Sequence, residues 1–289
     1  MMCCRLVHIL KGDSSMLKLE KVSRVYPDGT RAIDNLSLDI KKGEFCVLLG
    51  PSGAGKSTLM GMINGMVLPC QGEVVLWGEK VGRSNLKRLQ QRVSMIHQQL
   101  HLVPRLSVLN NVLTGVLPET SLWRSLLTLF PEKSQRRACR LLEEVELEEK
   151  HLHRRAMALS GGQQQRVAIA RAFMSQPSIV LADEPVASLD PTISRNVLNL
   201  LKQTAQQRQT TVLCSLHQVD YALEFADRII GLRQGRLVYD GRPEDVTAQV
   251  LEELYGPGNV PFTEEGDGVG ATLPPGIADQ QLAAALQAA

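Results

Sequence analysis

The period of apolar and polar positions changes along the chain, and each change marks an element. Residues 16–50 read as strands: Leu17 to Val25, a Tyr26-Pro-Asp-Gly29 turn, Ala32 to Ile40, a Lys41-Lys-Gly43 turn, and the apolar run Phe45-Cys-Val-Leu-Leu49. Proline presets φ and glycine supplies positive φ, so Pro-Asp-Gly is strong turn chemistry. The pattern then turns helical over Leu59-Met-Gly-Met-Ile-Asn-Gly-Met66. Gly72-Glu-Val-Val-Leu-Trp-Gly78 reads as a strand between glycine turns, and a helical Leu86–Arg92 leads to a short strand, Val93-Ser-Met-Ile96.

Between about residues 100 and 157 strand signals thin out. Ser107–Leu113 and Ser121–Phe130 read as helices. Ala138, Leu141, Leu142 and Val145 fall at i, i+3, i+4 and i+7, with Glu143 and Glu144 opposite, which is an amphipathic stripe. The expectation is a helical subdomain inserted into an α/β core. That core resumes at Ala158 with a helix through Gln163–Met174 and the apolar run Ser178-Ile-Val-Leu-Ala182, suited to a central parallel strand. Asp190 caps the next helix, with Pro191 at its first position and Ile193, Val197, Leu200 and Leu201 as its buried face. A buried strand over Thr210–Ser215, a hairpin turning at Gln234-Gly235 and a helix near Pro243–Tyr255 complete the core. Residues 1–15 read as a disordered leader or an upstream start-site artefact. Residues 256–289, rich in Gly, Pro, Glu and Ala, read as a flexible tail.

Composition narrows the function classes. A chain of 289 residues, 44% hydrophobic and 21% charged, suits one large globular domain or two small ones. The net charge of +2, spread along the chain, argues against nucleic acid as a partner. No apolar run approaches the roughly 18 residues of a membrane span, so a membrane role must come through a partner. Six cysteines form no C-x-x-C pair and no zinc spacing; Cys46 and Cys214 sit in apolar strands and read as small core residues.

Three motifs carry chemistry. Gly50-Pro-Ser-Gly-Ala-Gly-Lys-Ser-Thr58 lies between a strand and a helix, the context a P-loop requires. Glycines let successive N–H groups point into one concavity, and the new helix adds its positive end. In that cradle Lys56 reaches the β and γ phosphates and the Ser57 hydroxyl ligates Mg²⁺. Second, Ile179-Val-Leu-Ala-Asp-Glu184 ends an apolar strand in two acids, costly to bury unless positive charge meets them. Beside a P-loop, Asp183 is positioned to hold Mg²⁺ and Glu184 to polarise the attacking water. Third, Leu159-Ser-Gly-Gly-Gln-Gln-Gln-Arg166 puts two glycines ahead of a helix, a second anion-binding device far away in sequence.

With these motifs in place, residues 16–255 resemble an ATP-binding cassette (ABC) ATPase. The fold class this implies is α/β: a P-loop NTPase core with an N-terminal antiparallel β subdomain and an inserted α-helical subdomain. The resemblance implies ATP and Mg²⁺ as cofactors. It also implies a head-to-tail pair of copies, in which Ser160, Gly161 and Gly162 grip the nucleotide held by the partner's Gly50, Pro51, Ser52, Gly53, Ala54, Gly55, Lys56, Ser57 and Thr58. By the same resemblance Tyr26 stacks on adenine, Gln98 contacts Mg²⁺ or water, Asp190 lies in the D-loop at the dimer interface, and His217 contacts the γ-phosphate. His97 departs from the aromatic common before that glutamine.

Arg105–Gly115, Trp123-Arg-Ser125, Leu181–Asp190 and Ser215–Asp220 further resemble the ATPase subunits of bacterial phosphonate importers. Such subunits sit peripherally on the cytoplasmic face of the inner membrane, against integral permease subunits. The substrate never touches such an ATPase: a separate periplasmic or extracellular binding protein, an indirect partner, and the permease recognise it. Importers of phosphite, phosphate esters or amino acids share the core motifs. Ribosome-acting ABC proteins usually carry two cassettes, and DNA-repair members need a long coiled coil or zinc insertions; neither pattern occurs here.

Overall fold

The computed structural model describes residues 15–119 and 130–262. The readings at residues 1–14, 120–129 and 263–289, including Trp123-Arg-Ser125, lie outside the described residues.

Two sheets organise the chain. Strands β1 (Ser15–Val25), β2 (Arg31–Lys41), β4 (Gln71–Leu76) and β5 (Glu79–Lys80) form an antiparallel sheet in the order β2-β1-β4-β5. Strands β3 (Phe45–Leu49), β6 (Val93–Ile96), β7 (Ile179–Asp183), β8 (Thr211–Ser215), β9 (Arg228–Arg233) and β10 (Arg236–Gly241) form the second, ordered β10-β9-β3-β8-β7-β6. It is parallel from β6 to β9, and β10 closes one edge as a hairpin. Gln234 and Gly235 both take positive φ at the hairpin tip, as a type I′ turn requires.

The continuous apolar runs follow from burial on both faces. Phe45, Val47, Leu49, Val180, Ala182, Val212 and Cys214 face one core, and Cys46, Leu48, Ile179, Leu181 and Leu213 face the other. The second core is shared with Leu17, Leu19, Leu36 and Leu38 of the antiparallel sheet and with Leu59, Met60 and Ile63 of α1 (Lys56–Ile63). Alternation in β1 and β2 therefore marks a sheet with one face inward, and its absence in β3 and β7 marks a sheet between two layers. The free cysteines Cys46 and Cys214 are fully buried core residues.

Short helix α2 (Leu86–Gln90) precedes β6. Between β6 and the next strand the described residues are helical or irregular: α3 (Val108–Leu113), α4 (Glu132–Glu144) and α5 (Gly161–Phe173). In α4 the stripe Ala138, Leu141, Leu142 and Val145 is buried and Glu143 faces outward, as its period predicts. Helix α6 (Pro191–Gln207) begins as read: Asp190 Oδ1 accepts the Ile193 N–H at 2.9 Å, and Pro191 follows. Ile193 itself corrects the reading, because it is 36% exposed. It lies in the first turn of α6, past the reach of the core that covers Val197 and Leu201, and it abuts Gly162 at the start of α5. Helix α7 (Val219–Phe225) follows β8. The final helical stretch divides: a 3-10 turn at Pro243–Asp245, then α8 (Ala248–Tyr255), whose Thr247 hydroxyl accepts the Val250 N–H. Of the stretch read as a flexible tail, only residues 256–262 lie among the described residues, and there Val260 and Phe262 pack against the core.

One buried amide fixes the approach to the helical segment. The Asn111 side chain accepts the Val103 N–H at 2.7 Å and donates to the carbonyls of Val103 and Ser107, each at 3.1 Å. It is fully buried. Asn111→Ala strands these groups, so stability should fall by about 1–3 kcal/mol. The check is a lower urea midpoint at unchanged m-value; an unmoved midpoint refutes it.

Candidate functional site

The parallel register brings distant residues to one edge. Ile96 pairs with Ala182, Ala182 with Cys214, Asp183 with Ser215, and Ser215 with Leu48. Glu184 and Gly50 are the first residues past their strands and Gln98 and His217 the second past theirs, so all four gather at the carboxyl ends, where open α/β sheets bind ligands.

The first loop on this edge is Gly50–Gly55. Gly50 has φ +147°, and a Cβ there would lie 2.1 Å from the Leu232 carbonyl oxygen. Gly55 has φ +105°, and its Cβ would lie 2.4 Å from the Ala32 carbonyl oxygen. No other residue fits either place. Helix α1 starts at Lys56, three residues before its apolar period shows in sequence, because its first turn is polar. No side chain caps it. Its first N–H groups are therefore available to an anion.

Lys56 is buried, and its ammonium donates to the carbonyls of Gly50 at 2.6 Å and Pro51 at 3.2 Å. Burial pushes its pKa down, while the charges of Glu184 and Asp183 pull it up. Ser52, Gly53 and Ser57 are exposed, Pro51 is partly exposed, and Ala54 is buried, its carbonyl accepting the Gly235 N–H at 3.0 Å. The hairpin tip thus braces the loop from beneath. The Tyr26 hydroxyl lies 3.3 Å from Thr58 Oγ1, and the Arg24 guanidinium sits 5.0 Å from the Tyr26 ring centre. Tyr26 is thereby fixed at the rim of the loop.

The two acids have separate partners. Asp183 Oδ1 accepts the Ser215 hydroxyl at 2.7 Å, and Ser215 Oγ accepts the Glu184 N–H at 2.9 Å. Glu184 stands at φ +49°, uncommon for a side chain of its kind. Its carboxylate Oε1 meets His217 Nε2 at 2.5 Å. Gln98 is exposed at the end of β6, and the loop after it is tied down by Arg171, which donates to the Leu100 and His101 carbonyls at 2.5 and 2.9 Å. Burial pushes the Arg171 pKa down.

Ser160, Gly161 and Gly162 form a separate surface. Ser160 caps α5: its hydroxyl accepts the Gln163 N–H, and Gln163 returns a bond to the Ser160 N–H. A Cβ on Gly161 would meet Leu189 at 3.2 Å, and one on Gly162 would meet Ile193 at 2.6 Å. These glycines and Asp190 therefore share one face. Among the described residues, the hydrogen bonds of Ser160–Gly162 stay within α5 and its cap, and none reaches the Gly50–Thr58 loop.

The glycine-rich loop before α1 and the capped start of α5 can now be set beside known proteins. A family model described as ABC transporter matches residues 33–187, more than half the chain. The chain belongs to the ABC transporter family. It is 64% identical over 240 residues to the phosphonates import ATP-binding protein PhnC of Hydrogenovibrio crunogenus, covering 83% of this chain and 88% of that protein. It is 51% identical to phosphonates import ATP-binding protein PhnC 2 of Cupriavidus metallidurans, covering 85% and 88%. Among solved structures, the dimeric ATP-binding cassette MJ0796 in a post-hydrolysis state with ADP and Pi matches with TM-score 0.67 and 35% identity, covering 79% of this chain and 99% of that one. CbiO1 of Clostridium perfringens, part of an ABC transporter complex, matches with TM-score 0.72 and 27% identity, covering 81% and 90%. An ABC ATPase binds ATP, and the loop at Gly50–Thr58 of this ABC chain has the open helix N-terminus for it.

Sequence reasoning passed over Ser215 as a partner of both acids. Its place opposite Asp183 depends on strand pairing across 32 residues and carries no local signal. Ser215→Ala leaves the Glu184 N–H and one Asp183 oxygen without their partner. ATP turnover should fall roughly 5- to 100-fold with nucleotide affinity nearly unchanged. Steady-state ATPase assays beside equilibrium nucleotide binding would show it, and equal turnover in variant and wild type would refute it.

Proposed function

We propose that this ABC chain is the ATP-hydrolysing subunit of a membrane importer of phosphonates, acting in head-to-tail pairs beneath a separate permease. The observation that carries the hydrolytic part is the Glu184–His217 contact beside the buried Lys56. The names of its relatives carry the choice of cargo. Among the described residues no helix is long and apolar enough to cross a membrane, which suits a subunit that works through a permease.

The chemistry follows from the groups at the sheet edge. ATP enters with adenine on Tyr26 and phosphates on the N–H groups of Gly50–Thr58. Lys56 exchanges its two carbonyl partners for phosphate oxygens, a stronger charge-assisted contact. Ser57 and Asp183 offer hard oxygen donors, and among the described residues no group of three His, Cys, Asp or Glu is placed to hold a metal ion by itself. That donor set fits Mg²⁺, which takes few protein ligands and completes its shell with phosphate and water. Ser57, Asp183 and Gln98 would hold it, and it would neutralise charge on the phosphates.

Glu184 accepts a hydrogen bond from the attacking water and draws its proton away as the water oxygen bonds to the γ-phosphorus; the bond from that phosphorus to the β–γ bridging oxygen breaks, and ADP and phosphate leave. His217, in contact with Glu184, orients that carboxylate and reaches the γ-phosphate. Ser160, Gly161 and Gly162 of one copy close over the nucleotide held by the other, with Asp190 at the seam, so ATP acts as the bond between copies. Hydrolysis weakens that bond and the pair opens, a two-state element biased by nucleotide. The loop after Gln98 lies beside the helical segment, where exposed Val103 and Met157 give an apolar lip for a permease segment.

Glu184→Gln should bind ATP with near-normal affinity, pair with a second copy and hydrolyse about 10²- to 10⁴-fold more slowly. Light scattering with ATP and Mg²⁺, beside phosphate release, tests this; a variant that stays monomeric or turns over normally refutes it. For the cargo, a deletion strain without a redundant uptake system is grown on methylphosphonate as sole phosphorus source. Rescue by the wild-type gene and not by Glu184→Gln supports phosphonate uptake. Normal growth of the deletion strain removes phosphonate as the cargo.

A further inference from the structure

Two backbone donors at the mouth of the site are satisfied by one C-terminal stretch. Gly50 lies one residue past the last ladder pair of β3, Leu49 with Gly231, so its N–H has no strand partner there. The Tyr255 hydroxyl accepts that N–H at 3.2 Å. Val219 is the first residue of α7, whose cap residue Gln218 supplies no side-chain bond. The Pro261 carbonyl accepts the Val219 N–H at 2.9 Å. Buried donors of this kind need partners, and helix starts leave several of them open.

The stretch between these two anchors is itself fixed. Gly256 ends α8 at φ +91°, the Asn259 N–H turns back to the Gly256 carbonyl at 3.3 Å, and Tyr255, Val260 and Phe262 pack against the core that holds Val219. Burial pushes the Tyr255 pKa up to about 12, so its hydroxyl stays neutral across the working range. Each anchor stands close to a working side chain. Gly50 also offers the carbonyl that holds the Lys56 ammonium, and Val219 lies two residues after His217.

We propose that residues 255–261 are a strap that positions both halves of the hydrolytic site: Tyr255 sets Gly50 and through it Lys56, and Pro261 sets the start of α7 and through it His217. The proposal rests on the ATP-hydrolysing reading above. Tyr255 is a positioning residue and touches no reacting atom. Its arm acts on phosphate binding, which ground state and transition state share, and so bears on KM. The Pro261 arm acts on a group engaged in the reaction, and so bears on kcat.

Two full-length variants separate the arms. Tyr255→Phe keeps the ring and deletes the acceptor. Val219→Pro deletes the donor at a first helical position, where proline is favoured, after a Gln218 whose extended φ −79° and ψ 127° suit the residue before proline. ATPase kinetics should give Tyr255→Phe a KM for ATP raised roughly fivefold or more with kcat within about twofold. Val219→Pro should show the reverse, kcat lowered roughly fivefold or more and KM nearly kept. Variants with wild-type KM and kcat, whether or not their melting temperatures fall, reduce the strap to packing and overturn the proposal. A wild-type protein that hydrolyses no ATP overturns the hydrolytic reading, and the strap with it.

Discussion

Parallel pairing among β6, β7, β8 and β3 is the constraint on which everything else rests. Both faces of this sheet are buried, so register is fixed by two cores at once. A slip of one residue in β7 would send Val180 and Ala182 into the core that now holds Ile179 and Leu181. The same slip would part Asp183 from Ser215 and turn Glu184 away from His217. Packing free energy spread over dozens of apolar side chains thus holds a handful of polar groups to within hydrogen-bonding distance.

Those polar groups are stable only in one another's company. A buried lysine, two carboxylates at a strand end and an uncapped helix start would each be unfavourable alone. Together they offset one another: Lys56 rests on loop carbonyls within the field of Glu184 and Asp183, the Ser215 hydroxyl donates to the Asp183 carboxylate, and His217 meets that of Glu184. Glu184 is kept in left-handed backbone geometry by its N–H bond to Ser215 and its side-chain contact with His217. Strain of that kind persists only where neighbours over-determine it.

Much of this was legible before any coordinates. The periods of β1, β2, α4 and α6 report which faces meet a core, and the spacing of Gly50–Thr58 carries its own chemistry. Ile193 misled because period alone does not show where a core ends: its first-turn position lies beyond the sheet, against Gly162. Ser215 and Tyr255 were missed for a different reason. Their partners are 32 and 205 residues away, and a hydroxyl has no pattern that marks the group it will meet. Composition marks the seven residues after Tyr255 as part of a tail and does not show that Val260 and Phe262 pack against the core.

The arrangement leaves one chain with a P-loop on one face and Ser160–Gly162 on another, so the central claim is that a working site takes one surface from each of two copies. Mixing two inactive variants tests it most directly. Lys56→Ala disables the P-loop, and Ser160→Asp keeps the helix cap while placing a negative charge against the phosphate. Each variant alone should be inert. In an equimolar mixture half of the random pairs hold one intact site, so the account predicts recovery of about a quarter of the wild-type rate. A mixture as inert as its components would contradict a site shared between copies.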